Sequence, residues 1–256
     1  MNTMTIDIGN TNVKVDLWAD DGYMFRLDEN KVNSENIEDT IRNFSLKGAI
    51  VASVRKDYED IIKPFQNIEN FPVVIFDQEE IKRCYKEENK YKGTVGVDRF
   101  AAFLGVRNWM GTRPAMIIDA GTAITTDISH NNCFIGGNIS LGVETRLKAL
   151  HHYTSMLPEL EYDWRGKFFG NDTVSAIEGG LRMGLEGELT LAVKKAKELY
   201  DIHAVFITGG DAMTVRSCIY PEFNYCNIDE FLVARGLNYH LRKFYLQKEA
   251  HPYNSI

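Results

Sequence analysis

The sequence predicts an α/β fold built twice, each half a mixed sheet flanked by helices. Three observations carry this. "IDIGNT" at 6–11 returns as "IDAGTA" at 118–123, so two Ile-Asp-x-Gly turns stand 112 residues apart. Each turn follows an apolar strand and precedes two more strand-like runs, then helices and strands in alternation. Short β-branched runs such as "GAIVASV" (48–54) read as strands buried on both faces, as parallel strands between helices are. Self-similarity at this length points to a duplicated unit, with domains expected at 1–112 and 113–256.

The elements follow in order. Residues 4–8, 12–18 and 22–27 read as three strands joined by hairpin turns at Gly9-Asn10 and Asp20-Asp21-Gly22. A helix is expected over 34–45 with Ser34 as its cap. After the strand at 48–54 comes a helix over 56–69, interrupted by Pro64, and a strand at 71–76. The mixed-charge stretch 78–92 reads as a solvated helix and loop. A glycine-bearing loop then leads into a helix over 98–110. The second half repeats the order: strand, turn and strand over 115–128, a third strand at 133–141, and helices near 142–156 and 172–200. A strand over 204–212 ends in the glycine turn "ITGG" (207–210), and a last helix lies near 229–247. Trp18, Trp109 and Trp164 read as packing residues.

Composition narrows the function classes. With 256 residues, 44% of them hydrophobic, the chain can bury a sizeable core. A net charge of −7 and a pI near 5.4 argue against a broad nucleic-acid surface. Cysteines 84, 133, 218 and 226 form no C-x-x-C pair, which reads as reduced cytosolic thiols. No basic-then-apolar start and no run of 18 apolar residues is seen, so the expectation is a cytoplasmic protein with no membrane or nucleic-acid partner. No Ser-His-Asp order, H-E-x-x-H or tight Cys/His cluster is found in the sequence.

The two aspartate turns carry the chemistry. A carboxylate at a strand end is costly to bury unpaired, and Asp7 and Asp119, from two copies of one unit, call for a cation. Gly9 and Gly121 let the backbone approach a ligand, and Asn10, Thr11 and Thr122 place small donors beside the turns. Lys14 either reaches a phosphate or, by its alternation with Val13 and Val15, faces solvent. The set fits Mg²⁺–nucleotide phosphates. Gly209 and Gly210 end an apolar strand, where a doubly wound sheet binds its ligand, and suit a cover for adenosine. Neither a Walker loop nor a G-x-G-x-x-G turn after a strand occurs.

The stretches "DIGNTNVK" (7–14), "GVDR" (96–99), "DAGTAITTD" (119–127), "GGNISLG" (136–142), "GNDTVSAIEGG" (170–180) and "TGGDA" (208–212) stand in an order that resembles the actin-like ATPase and sugar-kinase superfamily. Within it they resemble the type III pantothenate kinases. The resemblance implies duplicated actin-like (ribonuclease H-like) domains. It implies ATP-dependent phosphorylation of pantothenate to 4′-phosphopantothenate, the first step toward coenzyme A. By it, Asp7, Gly9, Asn10, Thr11 and Lys14 meet ATP phosphates and Mg²⁺, together with Gly121, Thr122, Gly209 and Gly210. Asp98 becomes the general base, and Arg99 the fork for the pantothenate carboxylate, with Gly96 in the pocket. Read alone, this pair is an N-cap aspartate with a surface arginine. Asp119 would hold a monovalent cation, K⁺ or NH₄⁺, and Thr173 would touch pantothenate in a homodimer with composite sites.

Three departures from the family pattern stand out. Leu141 replaces a proline in Gly-Gly-x-Ile-x-Pro-Gly, Tyr91 lies at a different spacing before "GVDR", and Tyr153, beside His151 and His152, takes the place of a substrate-touching histidine. Two rival readings remain open: an ATP-binding accessory or regulatory protein of the same fold without kinase activity, and a kinase for another hydroxylated substrate. The Asp98-Arg99 pair speaks against the first, since a pure binder needs no base there.

Overall fold

Strands β1 (Asn2–Ile8), β2 (Val13–Ala19) and β3 (Gly22–Leu27) form an antiparallel meander. Their alternation divides the side chains: Met4, Ile6, Ile8, Val15 and Leu17 enter one apolar core, while Thr3, Thr5, Asp7 and Asp16 line the other face. The computed structural model describes residues 1–20, 22–27, 37–55, 59–65, 68–162, 167–219, 223 and 225–246. Ser34 and Trp164 lie outside them.

The first sheet is completed by two parallel strands, β4 (Leu46–Ser53) and β5 (Val73–Ile75), in the order β3-β2-β1-β4-β5. The second contains β6 (Ala115–Ala120), β7 (Ala123–His130), β8 (Cys133–Leu141), β9 (Ala204–Thr208) and β10 (Cys226–Ile228). Its order, β8-β7-β6-β9-β10, repeats the first strand for strand: a three-stranded meander, then two parallel additions. Asp7 and Asp119 each occupy the penultimate residue of the first strand of their sheet. The duplicated actin-like architecture is thus realised in topology as well as in motif.

The helices are α1 (Ile37–Asn43), α2 (Glu59–Ile62), α3 (Gln78–Tyr85), α4 (Val97–Met110), α5 (Val143–His152), α6 (Thr173–Tyr200), α7 (Ala212–Ile219) and α8 (Leu232–Leu241). Pro64 falls in a 3₁₀ turn, Lys63–Phe65, directly after α2, as its missing N–H requires. The last helix ends at Leu241 and passes into a π-helical turn, Arg242–Leu246. Trp18 is buried, as expected of a packing residue. Trp109 is half exposed and stacks its ring on the Arg235 guanidinium, 4.7 Å from the centroid.

Two compact units result: Met1–Trp109 with the stretch from Leu232 onward, and Met110–Phe231. The sequence reading keeps everything after residue 112 in the second half, and this is corrected. Helix α8 packs on β1 and β4 of the first sheet. Thr3 donates to Asn238 Oδ1 at 2.6 Å in the buried interior, and Gly236 lies against the Ala101 carbonyl of α4. An apolar helix face does not say which sheet it will cover.

The 78–92 stretch is also not merely solvated. Glu80 and Tyr85 of α3 are buried. Glu80 accepts from Nε and one terminal nitrogen of Arg83 (2.9 and 2.6 Å), from Tyr245 (2.8 Å) and from His240 Nε2 (2.8 Å), while Tyr85 bonds His240 Nδ1 at 2.9 Å. A carboxylate only accepts, so Nε2 carries the proton and Nδ1 accepts from Tyr85. Cys84 joins the group, a Glu/Cys/His cluster that sequence spacing hides. Because Arg83 and Tyr245 already occupy the Glu80 carboxylate, the cluster acts as a hydrogen-bonded anchor of α8 onto α3.

Burial pushes His240 down to about 4 despite the opposing pull of Glu80. Burial alone would raise Glu80, but the bonds from Arg83, Tyr245, Cys84 and His240 outweigh it and hold the acid at about 2. Both native values lie below the unfolded ones, so both groups stabilise at neutral pH and lose that contribution on acidification. For His240 the window runs from about 6.5 down to about 4. The wild type should therefore lose about 2 kcal/mol between pH 7 and 5 through His240 alone. In His240→Gln the urea midpoint should fall less steeply over that range. Equal slopes in the two proteins would overturn the assignment.

Candidate active site

In the first unit, Asp7 stands directly opposite Lys14 in the β1–β2 register. Opposed residues share a face, so Lys14 lies on the side of Asp7 and Asp16, away from the apolar core. Gly9 closes the turn by donating to the Asn12 carbonyl at 3.0 Å, leaving Asn10 and Thr11 exposed at its tip. The strand-rich start thus carries a polar tip on a rigid hairpin.

A second grouping forms at the start of α4. Gln78 donates to the Val95 carbonyl at 2.5 Å and pins the incoming loop. Asp98 Oδ1 accepts the Arg99 amide at 2.8 Å, and a Cβ at Gly96 would come within 2.5 Å of that oxygen. The other Asp98 oxygen makes no hydrogen bond among the described residues. Arg99 is not the surface residue of the bland reading: it is 5% exposed, its guanidinium 5.3 Å from the Tyr91 ring centroid. Tyr91, Gly96, Asp98 and Arg99 are therefore one constellation, despite the unusual spacing of Tyr91.

In the second unit, Asp119, Gly121, Thr122, Gly209 and Gly210 gather at the ends of β6 and β9, where Asp119 pairs with Thr208. Gly209 has φ +92°, and a Cβ on it would lie 2.3 Å from the Ala120 carbonyl oxygen. The Asp211 amide donates to that same oxygen at 3.0 Å, locking the two turns together. On the other side, Gly142 donates to the Thr122 carbonyl at 3.0 Å. A Cβ on Gly142 would stand 1.9 Å from the Gly121 oxygen. Helices α5 and α7 both begin beside these turns, and the free N–H groups of a helix start favour an anion.

Asp211 is the functional candidate that sequence reasoning missed. Burial, aided by Glu144, pushes its carboxyl up. Its signal was present in "TGGDA", where only the glycines receive a role.

Thr173 opens α6, capped by Asp172 and Ser175 in a reciprocal capping box. It lines a cavity of about 600 Å³ between α5 and α6, with Leu147, Leu150, Ile177 and Leu181. Tyr153 caps the end of α5, is 82% exposed and is not among the lining residues.

The ROK hexokinase from Thermus thermophilus matches over 96% of this chain and 99% of its own, with a TM-score of 0.56 at 12% identity, so the two share a fold. The profile of the type III pantothenate kinases matches residues 3–195. A type III pantothenate kinase of Bacteroides fragilis is 31% identical over 243 residues, covering 92% of this chain and 95% of the relative. One from Flavobacterium johnsoniae is 30% identical over 215 residues, covering 82% and 86%. The chain belongs to the type III pantothenate kinase family and is, by that membership, a kinase. Among the described residues no helix is long and apolar enough to cross a membrane.

Proposed function

We propose that this chain transfers the γ-phosphoryl group of ATP to the primary hydroxyl of pantothenate, giving 4′-phosphopantothenate and ADP at the entry to coenzyme A synthesis. The observation that carries the reading is the Asp98–Arg99–Tyr91 constellation, in a chain whose family is named for that substrate. Asp98 takes the hydroxyl proton as the oxygen bonds the γ-phosphorus and the bond to ADP breaks. Arg99, held by Tyr91, pairs with the pantothenate carboxylate, and Thr173 contributes a hydroxyl to the same substrate.

The two hairpins receive the nucleotide. Asn10, Thr11, Lys14, Gly121 and Thr122 meet phosphates, and Gly209 and Gly210 cover the adenosine. The carboxylates of Asp7 and Asp119, with carbonyl and hydroxyl oxygens beside them, are the hard donors that Mg²⁺ and a monovalent cation take. Bound there, the cations neutralise charge on the triphosphate. A cytoplasmic homodimer with composite sites fits this reading, with the exposed Tyr153 at the end of α5 meeting substrate in it.

The test is turnover by purified protein with Mg²⁺, ATP and pantothenate, with and without K⁺, product being identified by mass. Phosphopantothenate that depends on K⁺ is expected. ATP binding without product would overturn the substrate, and equal rates without K⁺ would overturn the cation role of Asp119.

A further inference from the structure

Arg146 sits on α5, one turn beyond the phosphate hairpin of the second unit, and touches none of the turn residues assigned to ATP. Its side chain nevertheless ties together three elements. Nε donates to the Leu141 carbonyl at 2.8 Å, at the end of β8. One terminal nitrogen donates to Ser140 Oγ at 3.3 Å and to Glu188 Oε2, on α6, at 2.6 Å. Ser140 donates in turn to Glu188 Oε1 at 2.5 Å, closing a ring of partners. The other terminal nitrogen faces Gly184, where a Cβ would be 3.7 Å away, so α6 leaves room for the guanidinium.

The residues on either side of that clamp are the ones that hold the turn. Gly142 donates to the Thr122 carbonyl at 3.0 Å, and Thr145 Oγ1 donates to the same oxygen at 2.7 Å. The stretch from Ser140 to Arg146 is therefore fastened at both ends to Glu188, through the Ser140 and Arg146 side chains, and between them to the Thr122 carbonyl, through Gly142 and Thr145. Leu141 is the last residue of β8, one residue before the Gly142 cap of α5. Proline fixes its own φ, whereas leucine leaves the strand-to-helix junction free unless something else grips it. The Arg146–Leu141 bond is such a grip. The same arginine reaches α6, the helix whose first residue is Thr173.

We infer that Arg146, held by Glu188 and Ser140, is a positioning residue that fixes the Gly121–Thr122 turn through Gly142 and Thr145. It acts on ATP only through that turn. The inference rests on the assignment of this turn to ATP phosphates, so its test needs one readout that does not.

The variants are Arg146→Met, which removes every donor, and Arg146→Lys, which keeps the charge but cannot fork to Leu141 and Glu188 together. The first readout is amide hydrogen exchange at Gly142, whose N–H is spent on Thr122. Arg146→Met should speed it about tenfold or more, and Arg146→Lys by less. The second is the KM for ATP, which should rise about tenfold in Arg146→Met, with Arg146→Lys recovering about half of the loss on a logarithmic scale. Unchanged exchange at Gly142 in folded Arg146→Met would overturn the clamp. Faster exchange with the KM for ATP unchanged would overturn the link to ATP and leave a structural bond. If wild-type protein binds no ATP, the assignment of the turn fails, and with it that link, while the exchange result still decides the clamp.

Discussion

Asp98→Asn is expected to lower kcat by about a thousandfold while ATP still binds. The substitution is nearly isosteric. The retained Oδ1 can still accept the Arg99 amide, so the start of α4 and the Arg99–Tyr91 contact should persist. What is lost is the proton acceptor. A primary hydroxyl is a weak nucleophile, and its proton must leave as the new O–P bond forms. Steady-state kinetics, with ATP affinity measured separately, distinguish this from a binding defect. A kcat within tenfold of wild type would remove Asp98 from the role of base. Loss of ATP binding along with turnover would show that the side chain serves the site's shape rather than its chemistry.

Gly209→Ala should be nearly as damaging, for a backbone reason. The residue has φ +92°, where an L side chain is strained, and its new Cβ would stand 2.3 Å from the Ala120 oxygen. That oxygen also accepts the Asp211 amide, so relieving the clash pulls apart the two turns at the ends of β6 and β9. About 3 kcal/mol or more of stability should go, seen as a fall in the thermal midpoint, and ATP affinity should drop at least tenfold. Gly210 provides the control. A Cβ there meets nothing within 4 Å and its φ is not in the strained region, so Gly210→Ala should fold normally and report only on contact with the nucleotide. Equal midpoints for Gly209→Ala and wild type would mean that the turn yields easily and does not lock the two strands.

Much of the fold could be read from the sequence because the strongest signals were local and repeated. The two Ile-Asp-x-Gly turns, each after an apolar strand, announced both meanders, and β9 with its glycine turn was evident from "ITGG". The short β10 has only three residues and no alternation to read. The ownership of α8 is a long-range fact. Nothing in the pattern of Leu232, Leu237 and Leu241 tells one half's sheet from the other's. The Glu80–His240 contact joins residues 160 apart, so each looked like an ordinary surface or helix residue in sequence. At the site, residues that neighbour one another along the chain, as Asp98 and Arg99 do, are legible in the sequence as one grouping. That legibility fails where a through-space neighbour matters, as with Asp211 and Glu144.

The return of α8 to the first unit also sets the order in which the chain can finish folding during synthesis. Residues 110–231 form a continuous unit, and all of its strands are available once β10 has emerged. The first unit is discontinuous. Its opening sheet leaves the ribosome early but waits for residues some 235 positions later, such as Asn238, to cover the face that bears Thr3. Closing so long a loop is slow relative to local pairing. The nascent protein therefore passes through a stage in which its later-made half is complete and its earlier-made half still exposes part of a core.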